Sequence, residues 1–125
     1  MNSQAEPLCE ESHSDRRDRR KPRADEAALG RAAELFAALG DPPRLRLLAL
    51  LAQGPACVSD LAEDEQEGMS TISQRLKVLR SASLVRRRRQ GKHVIYALAD
   101  QHVVDLVFNA LAHASEAQVV GESKE

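Results

Sequence analysis

Three aromatic side chains, Phe36, Tyr96 and Phe108, are all that this chain of 125 residues can offer a hydrophobic core. The interior must therefore be built from Leu, Val, Ile and Ala, and such a core fills best when helices lie close together. The length suits a single domain with one modest core and a tail.

Residues Met1 to Ala24 are polar, mixed in charge and almost free of large apolar groups, so they are expected to form a disordered N-terminal tail. Asp25 can cap a first helix running to Leu39, with Leu29, Ala33, Phe36 and Ala37 on one face. Gly40 ends it, and Asp41-Pro42 opens a second helix whose Leu45, Leu47, Leu48, Leu50 and Leu51 leave almost no polar side. That helix belongs in the middle of the domain. After Gly54-Pro55, Ser59 can cap a short third helix around Asp60 to Glu65. A break near Gly68 leads to a fourth helix from Ser70 to about Ala82, with Ile72, Leu76 and Leu79 inward. Leu84–Arg89 and His93–Leu98 flank Gln90-Gly91-Lys92 as a hairpin, the glycine supplying a positive φ. Asp100 caps a last helix to about Gln118, with Val103, Leu106, Val107, Ala110, Leu111 and Ala114 on one face. Residues 119–125 are expected to be a short disordered tail. The fold class is mainly α with a small β-hairpin: a winged helix-turn-helix domain over 25–118, in the order α-α-α-α-β-β-α. The apolar face of the last helix is expected to pack on a second copy, giving a homodimer.

Charge points to the partner. The net charge is only −1, yet Met69 to Ala99 contains no acidic residue and holds Arg75, Lys77, Arg80, Arg86, Arg87, Arg88, Arg89 and Lys92. An all-positive stretch in a near-neutral chain is the footprint of a polyanion. Two short helices joined by a tight turn, the second with a polar outer face, form a DNA-reading unit. Thr71, Gln74 and Arg75 can contact base edges, while Ser70, Ser73, Lys77, Lys92 and Arg86 to Arg89 can contact phosphates of double-stranded DNA. The arginine run could also be a charged edge strand that resists aggregation. Against the DNA reading stands the acidic turn Glu63-Asp64-Glu65-Gln66-Glu67.

The last helix also carries Asp100, His102, His113 and Glu116, a donor set suited to zinc. His102 and His113 lie within about 20° of each other around the helix but roughly 16 Å apart along it. One ion with bonds of about 2 Å cannot touch both in one helix. Two antiparallel copies can bring Asp100 and His102 of one chain to His113 and Glu116 of the other. A second constellation pairs Cys9 and His13 in the tail with Cys57 and Asp60 at the third helix. Each set also has a plain explanation: Asp100 as a helix cap, Cys57 as a small buried apolar group.

These residues resemble the ArsR/SmtB family of metal-sensing repressors, in its zinc-responsive branch, over about Ala32 to Glu116. The resemblance rests on Leu-Gly-Asp-Pro-Pro-Arg-Leu-Arg-Leu-Leu at 39–48, Ser-Thr-Ile-Ser-Gln-Arg-Leu-Lys-Val-Leu-Arg at 70–80, and Gln-Gly-Lys-His-Val-Ile-Tyr at 90–96. It implies that Asp100, His102, His113 and Glu116 form an interchain zinc site on the last helix. It further implies that Cys9, His13, Cys57 and Asp60 form a second site, between the tail of one subunit and the third helix of the other, for about two to four zinc ions per dimer. The chain departs from the family where a glycine is usual near Glu65 and Gln66, and where Gln74 replaces a common histidine.

The resemblance implies a repressor that holds operator DNA as a metal-free homodimer and leaves it on binding zinc, derepressing metal export or sequestration genes. A thiol-switched repressor using Cys9 and Cys57, a zinc hydrolase and a metal-independent architectural DNA binder are the rivals. The hydrolase is disfavoured because four protein ligands leave no open position for water. With no signal peptide and no apolar run near 20 residues, no membrane association is expected and the location is expected to be cytoplasmic.

Overall fold

The computed structural model describes residues 25–124, and their side chains through 116. Its order is α1 (Glu26–Leu39), α2 (Pro42–Ala52), β1 (Ala56–Cys57), α3 (Val58–Glu65), α4 (Met69–Ser81), β2 (Val85–Gln90), β3 (His93–Leu98) and α5 (Gln101–Lys124). Residues from Leu35 onward make one compact unit, and the earlier turns of α1 are described by themselves.

The start of α1 is fixed by Asp25, whose Oδ1 accepts the Ala28 N–H at 2.6 Å. The corner into α2 is more heavily built. Asp41 sits extended at φ −135° and accepts the Arg44 N–H, with proline in the first helical positions. Arg44 then reaches back, donating from Nε to the Ala38 carbonyl at 2.9 Å and from Nη2 to that of Ala37 at 3.3 Å. Those carbonyls end α1; that of Ala37 also accepts the Gly40 N–H at 3.3 Å, while that of Ala38 lies past the last helical donor. One arginine of α2 thus closes α1.

The core is aliphatic, as the shortage of aromatics demands. Leu47, Leu48, Leu61, Ile72, Leu76, Leu79, Leu84 and Val107 are fully buried, with Tyr96 as the one aromatic among the buried residues. Each such side chain contributes about 1.5–3 kcal/mol relative to exposure. They come from α2, α3, α4, α5 and the segment joining α4 to β2, so the core clamps both helices of the helix-turn-helix from beneath.

The sheet has three strands where two were expected, in the order β1-β3-β2 and antiparallel throughout. The extra strand is only Ala56–Cys57, paired with Tyr96 and Ile95, and two residues are too few to show an alternating pattern in sequence. It also shifts the helix start: Cys57, not Ser59, occupies the N-cap of α3, and no side chain caps it. Gly91 has φ 63° in the β2–β3 turn, as that tight connection requires. At the other end of the chain, α5 runs to Lys124, through a stretch expected as a disordered tail. No proline follows Pro55 to stop it.

Both helices of the helix-turn-helix end on a left-handed residue that is not glycine. Gln66 (φ 55°) closes α3, with Glu67 N–H bonding the Ala62 carbonyl, and Ser83 (φ 63°) follows α4, with Leu84 N–H bonding that of Leu79. A Cβ in this region costs about 1–2 kcal/mol, partly offset by the extra unfolded-state entropy of glycine. Gln66→Gly is therefore expected to stabilise the protein by about 0.5–1 kcal/mol, seen as a higher urea midpoint at unchanged slope. A lower midpoint would mean that the glutamine side chain itself holds the turn.

Candidate nucleic-acid interface and metal-ligand positions

Helix α4 turns Ile72, Leu76 and Leu79 into the core with no exposed surface. Their spacing leaves Ser70, Ser73, Gln74 and Lys77 exposed on the opposite side, as the periodicity predicts, while Thr71 is half-buried on the flank. The exposed groups are donors and acceptors on a rigid element whose inner face is locked by packing. That is what reading base edges and phosphates requires.

Arg86, Arg87, Arg88 and Arg89 are all exposed on β2, but the strand divides them. Residues opposite one another across an antiparallel pair share a face. Arg87 pairs with Tyr96 and Arg89 with Val94, continuing the row that begins with buried Val85 and Leu98. Arg86 pairs with Ala97 and Arg88 with Ile95 on the outer face, where with Pro55 and part of Arg87 they wall a hollow of about 100 Å³. The wing therefore offers two arginines on each side rather than one grip of four. Lys92 and His93 are exposed at its turn.

Two carboxylates of the acidic turn have cationic partners. Glu65 lies 3.4 Å from Arg46 of α2, and Glu67 lies 3.4 Å from Arg75 of α4. Arg75, which the sequence offers as a base-edge contact, is half-buried on α4 and paired with Glu67 in the single chain. Neither pair was legible, because each joins residues whose approach depends on the turn between helices.

At the start of α5, Asp100 Oδ1 accepts the Val103 N–H at 3.1 Å and lies 3.8 Å from His102 Nδ1. The His102 side chain is 98% exposed, and His113 and Glu116 are exposed further along the same helix. Among the described residues no three His, Cys, Asp or Glu side chains of one chain converge on a metal. The helical rise requires this of ligands placed so far apart on one helix. Cys57 is half-buried, its Sγ 3.2 Å from Ser59 Oγ, and Asp60 is exposed beside Glu63 and Asp64. Cys9 and His13 lie outside the described residues.

The apolar stripe of α5 splits in two. Val103 and Val107, expected at a dimer seam, are buried in the chain's own core. Beyond them the helix outruns that core. Ala110, Leu111 and Ala114 are exposed, and Phe108 beside them is 54% exposed. On α1, Leu29, Ala33, Phe36 and Ala37 are exposed as well.

Residues 41–87 match the family model of a bacterial regulatory protein of the arsR family. A transcriptional repressor, an SmtB homologue from Synechocystis, is 40% identical over 113 residues, 88% of this chain and 86% of its own. A cadmium resistance transcriptional regulatory protein, a CadC homologue from Staphylococcus aureus, is 32% identical over 91% of this chain and 97% of its own. Among solved structures, a homodimeric winged helix-turn-helix DNA-binding domain from Mycobacterium bovis superimposes with a TM-score of 0.70 at 34% identity, covering 74% of this chain and 88% of that one.

Proposed function

The chain belongs to the arsR family of bacterial regulatory proteins, and from that premise we propose a zinc-responsive transcriptional repressor that holds operator DNA as a metal-free homodimer. The observation that carries the metal-responsive part is the exposed Asp100–His102 pair at the head of α5, on the helix whose later apolar residues are left bare. A site completed by a second copy explains both at once. Among the described residues no helix is long and apolar enough to cross a membrane.

In this proposal α4 lies in the major groove, with Gln74 and Thr71 toward base edges and Ser70, Ser73 and Lys77 toward phosphates. The wing arginines and Lys92 add phosphate contacts. Asp100 and His102 of one subunit meet His113 and Glu116 of the partner subunit, two imidazoles and two carboxylates, twice per dimer by symmetry. This donor set fits zinc in a closed four-coordinate site. When bound, the ion supplies fixed short bonds that fasten one α5 to the other. The protein's part is to carry that constraint through the core beneath α4 to the spacing of the two reading helices. Cys57 and Asp60, with Cys9 and His13 from the tail, form the second proposed site.

Coupling between the sites is reciprocal: whatever factor zinc removes from DNA affinity, DNA removes from zinc affinity, typically about 5- to 150-fold. A gel-shift titration on the adjoining promoter, with and without zinc, tests the proposal. Retention of the operator at saturating zinc would refute it.

The divided wing gives a separate expectation. Arg87→Ala or Arg89→Ala should weaken binding to every DNA sequence about equally and lower the salt slope by about 0.9 per lost phosphate contact. If sequence preference changed while the slope stayed constant, these arginines would be reading bases instead.

A further inference from the structure

The described wing and the outer face of α4 are free of acidic residues, so the carboxylate nearest the reading helix comes from the turn before it. Glu67 Oε2 lies 3.4 Å from Arg75 Nη2, in an ion pair made by one long contact. Glu67 is 41% exposed and Arg75 only 21%. Arg75 Nη1 is buried and has no hydrogen-bond partner among the described residues. A guanidinium carries five donors, and leaving some of them buried and unmet is costly. This arginine is therefore held where it is poorly satisfied.

We infer that Glu67 is a resting counter-ion for Arg75, and that a DNA phosphate must displace it before Arg75 grips the duplex. A phosphate can take two parallel N–H bonds from a guanidinium, which the single contact to Glu67 does not match. The exchange moves Arg75 from the flank of α4 toward the backbone of the DNA and returns the Glu67 carboxylate to water. Glu67 acts through Arg75 and touches no DNA itself, so it is a positioning residue. The pair lowers affinity for all DNA alike. A repressor poised for release gains by this, because weaker phosphate binding leaves less to overcome. The inference rests on DNA binding as proposed above.

The test measures binding of the full-length protein to a short duplex of arbitrary fixed sequence between about 50 and 200 mM salt. Four proteins are compared: wild type, Glu67→Gln, Arg75→Gln and the double variant. Glu67→Gln is expected to bind about three- to tenfold more tightly at the low-salt end, with a salt slope steeper by about 0.9. In the Arg75→Gln background the same change should do nothing. Urea midpoints near wild type are expected for Glu67→Gln, since a half-exposed pair joined by one long contact adds little to stability. Weaker binding by Glu67→Gln would make the pair a clip that shapes the turn, and overturn the inference. An equal gain in both backgrounds would reduce it to removal of a nearby negative charge, and also overturn it. If the wild type bound no duplex at all, the repressor proposal would fall with it.

Discussion

His113→Ala should leave the operator bound as in the wild type and abolish its release by zinc. His113 is exposed on α5, a helix with no DNA contact in the proposal, so its loss removes little packing. In the proposed dimer it supplies one of four ligands, and three remaining donors hold the ion far more weakly and leave the two α5 helices free to move. The readout is a zinc titration of the protein–operator complex. Wild type should lose about 5- to 150-fold in affinity, and the variant should show no change across the same range. His102→Ala should behave alike. Cys57→Ser should keep most of the response, because its proposed co-ligands come from the tail, and ordering a tail costs entropy while transmitting little strain. If His113→Ala left the operator at the same zinc concentration as wild type, the α5 assignment would be wrong. If Cys57→Ser alone made repression permanent, the switch would belong to the other site.

The second large effect is on assembly. Leu111→Asp places a carboxylate in the bare half of the α5 stripe, where Leu111 is 38% exposed in the single chain. Burying an unpaired charge at a seam costs several kcal/mol, enough to shift a micromolar dimer to monomer in sedimentation. Operator affinity should then fall by about a hundredfold or more, since one subunit reaches only one half-site. The monomer's own urea midpoint should move little, because Val103 and Val107 rather than Leu111 carry the packing of α5 on the core. A wild-type monomer at micromolar concentration would overturn both large predictions together.

These outcomes depend on features that were unequally visible in sequence. The Asp41-Pro42 cap, the Ile72, Leu76, Leu79 stripe and the Gly91 turn were legible because each is a local pattern with one physical solution. Strand β1 was not, since two residues show no period and are held only by Tyr96 and Ile95 from far along the chain. The last helix illustrates the limit well. Its apolar stripe was correct as a pattern, yet periodicity gives the face and not what covers it. The structure assigns Val103 and Val107 to the chain's own core and leaves Ala110, Leu111 and Ala114 bare. Arg75 shows the same limit for charge. Its type suggested DNA, but its neighbour Glu67 is brought near by a turn closed on Gln66, a left-handed residue that a glycine-seeking scan passes over. For the ligands, spacing alone excluded a site within one helix, and that much followed from the rise per residue.

Asp100 holds two posts with one carboxylate. Its Oδ1 already closes the first turn of α5 through the Val103 N–H while standing beside His102. A change of residue at this position alters the helix start along with the donor chemistry, and a cap of this kind is worth about 1 kcal/mol. Drift toward another metal therefore meets a toll here that it does not meet at His113 or Glu116, where exposed side chains touch little else. Among relatives that have parted in metal preference, the far end of the helix is where variation should collect, and the near end where it should be scarce.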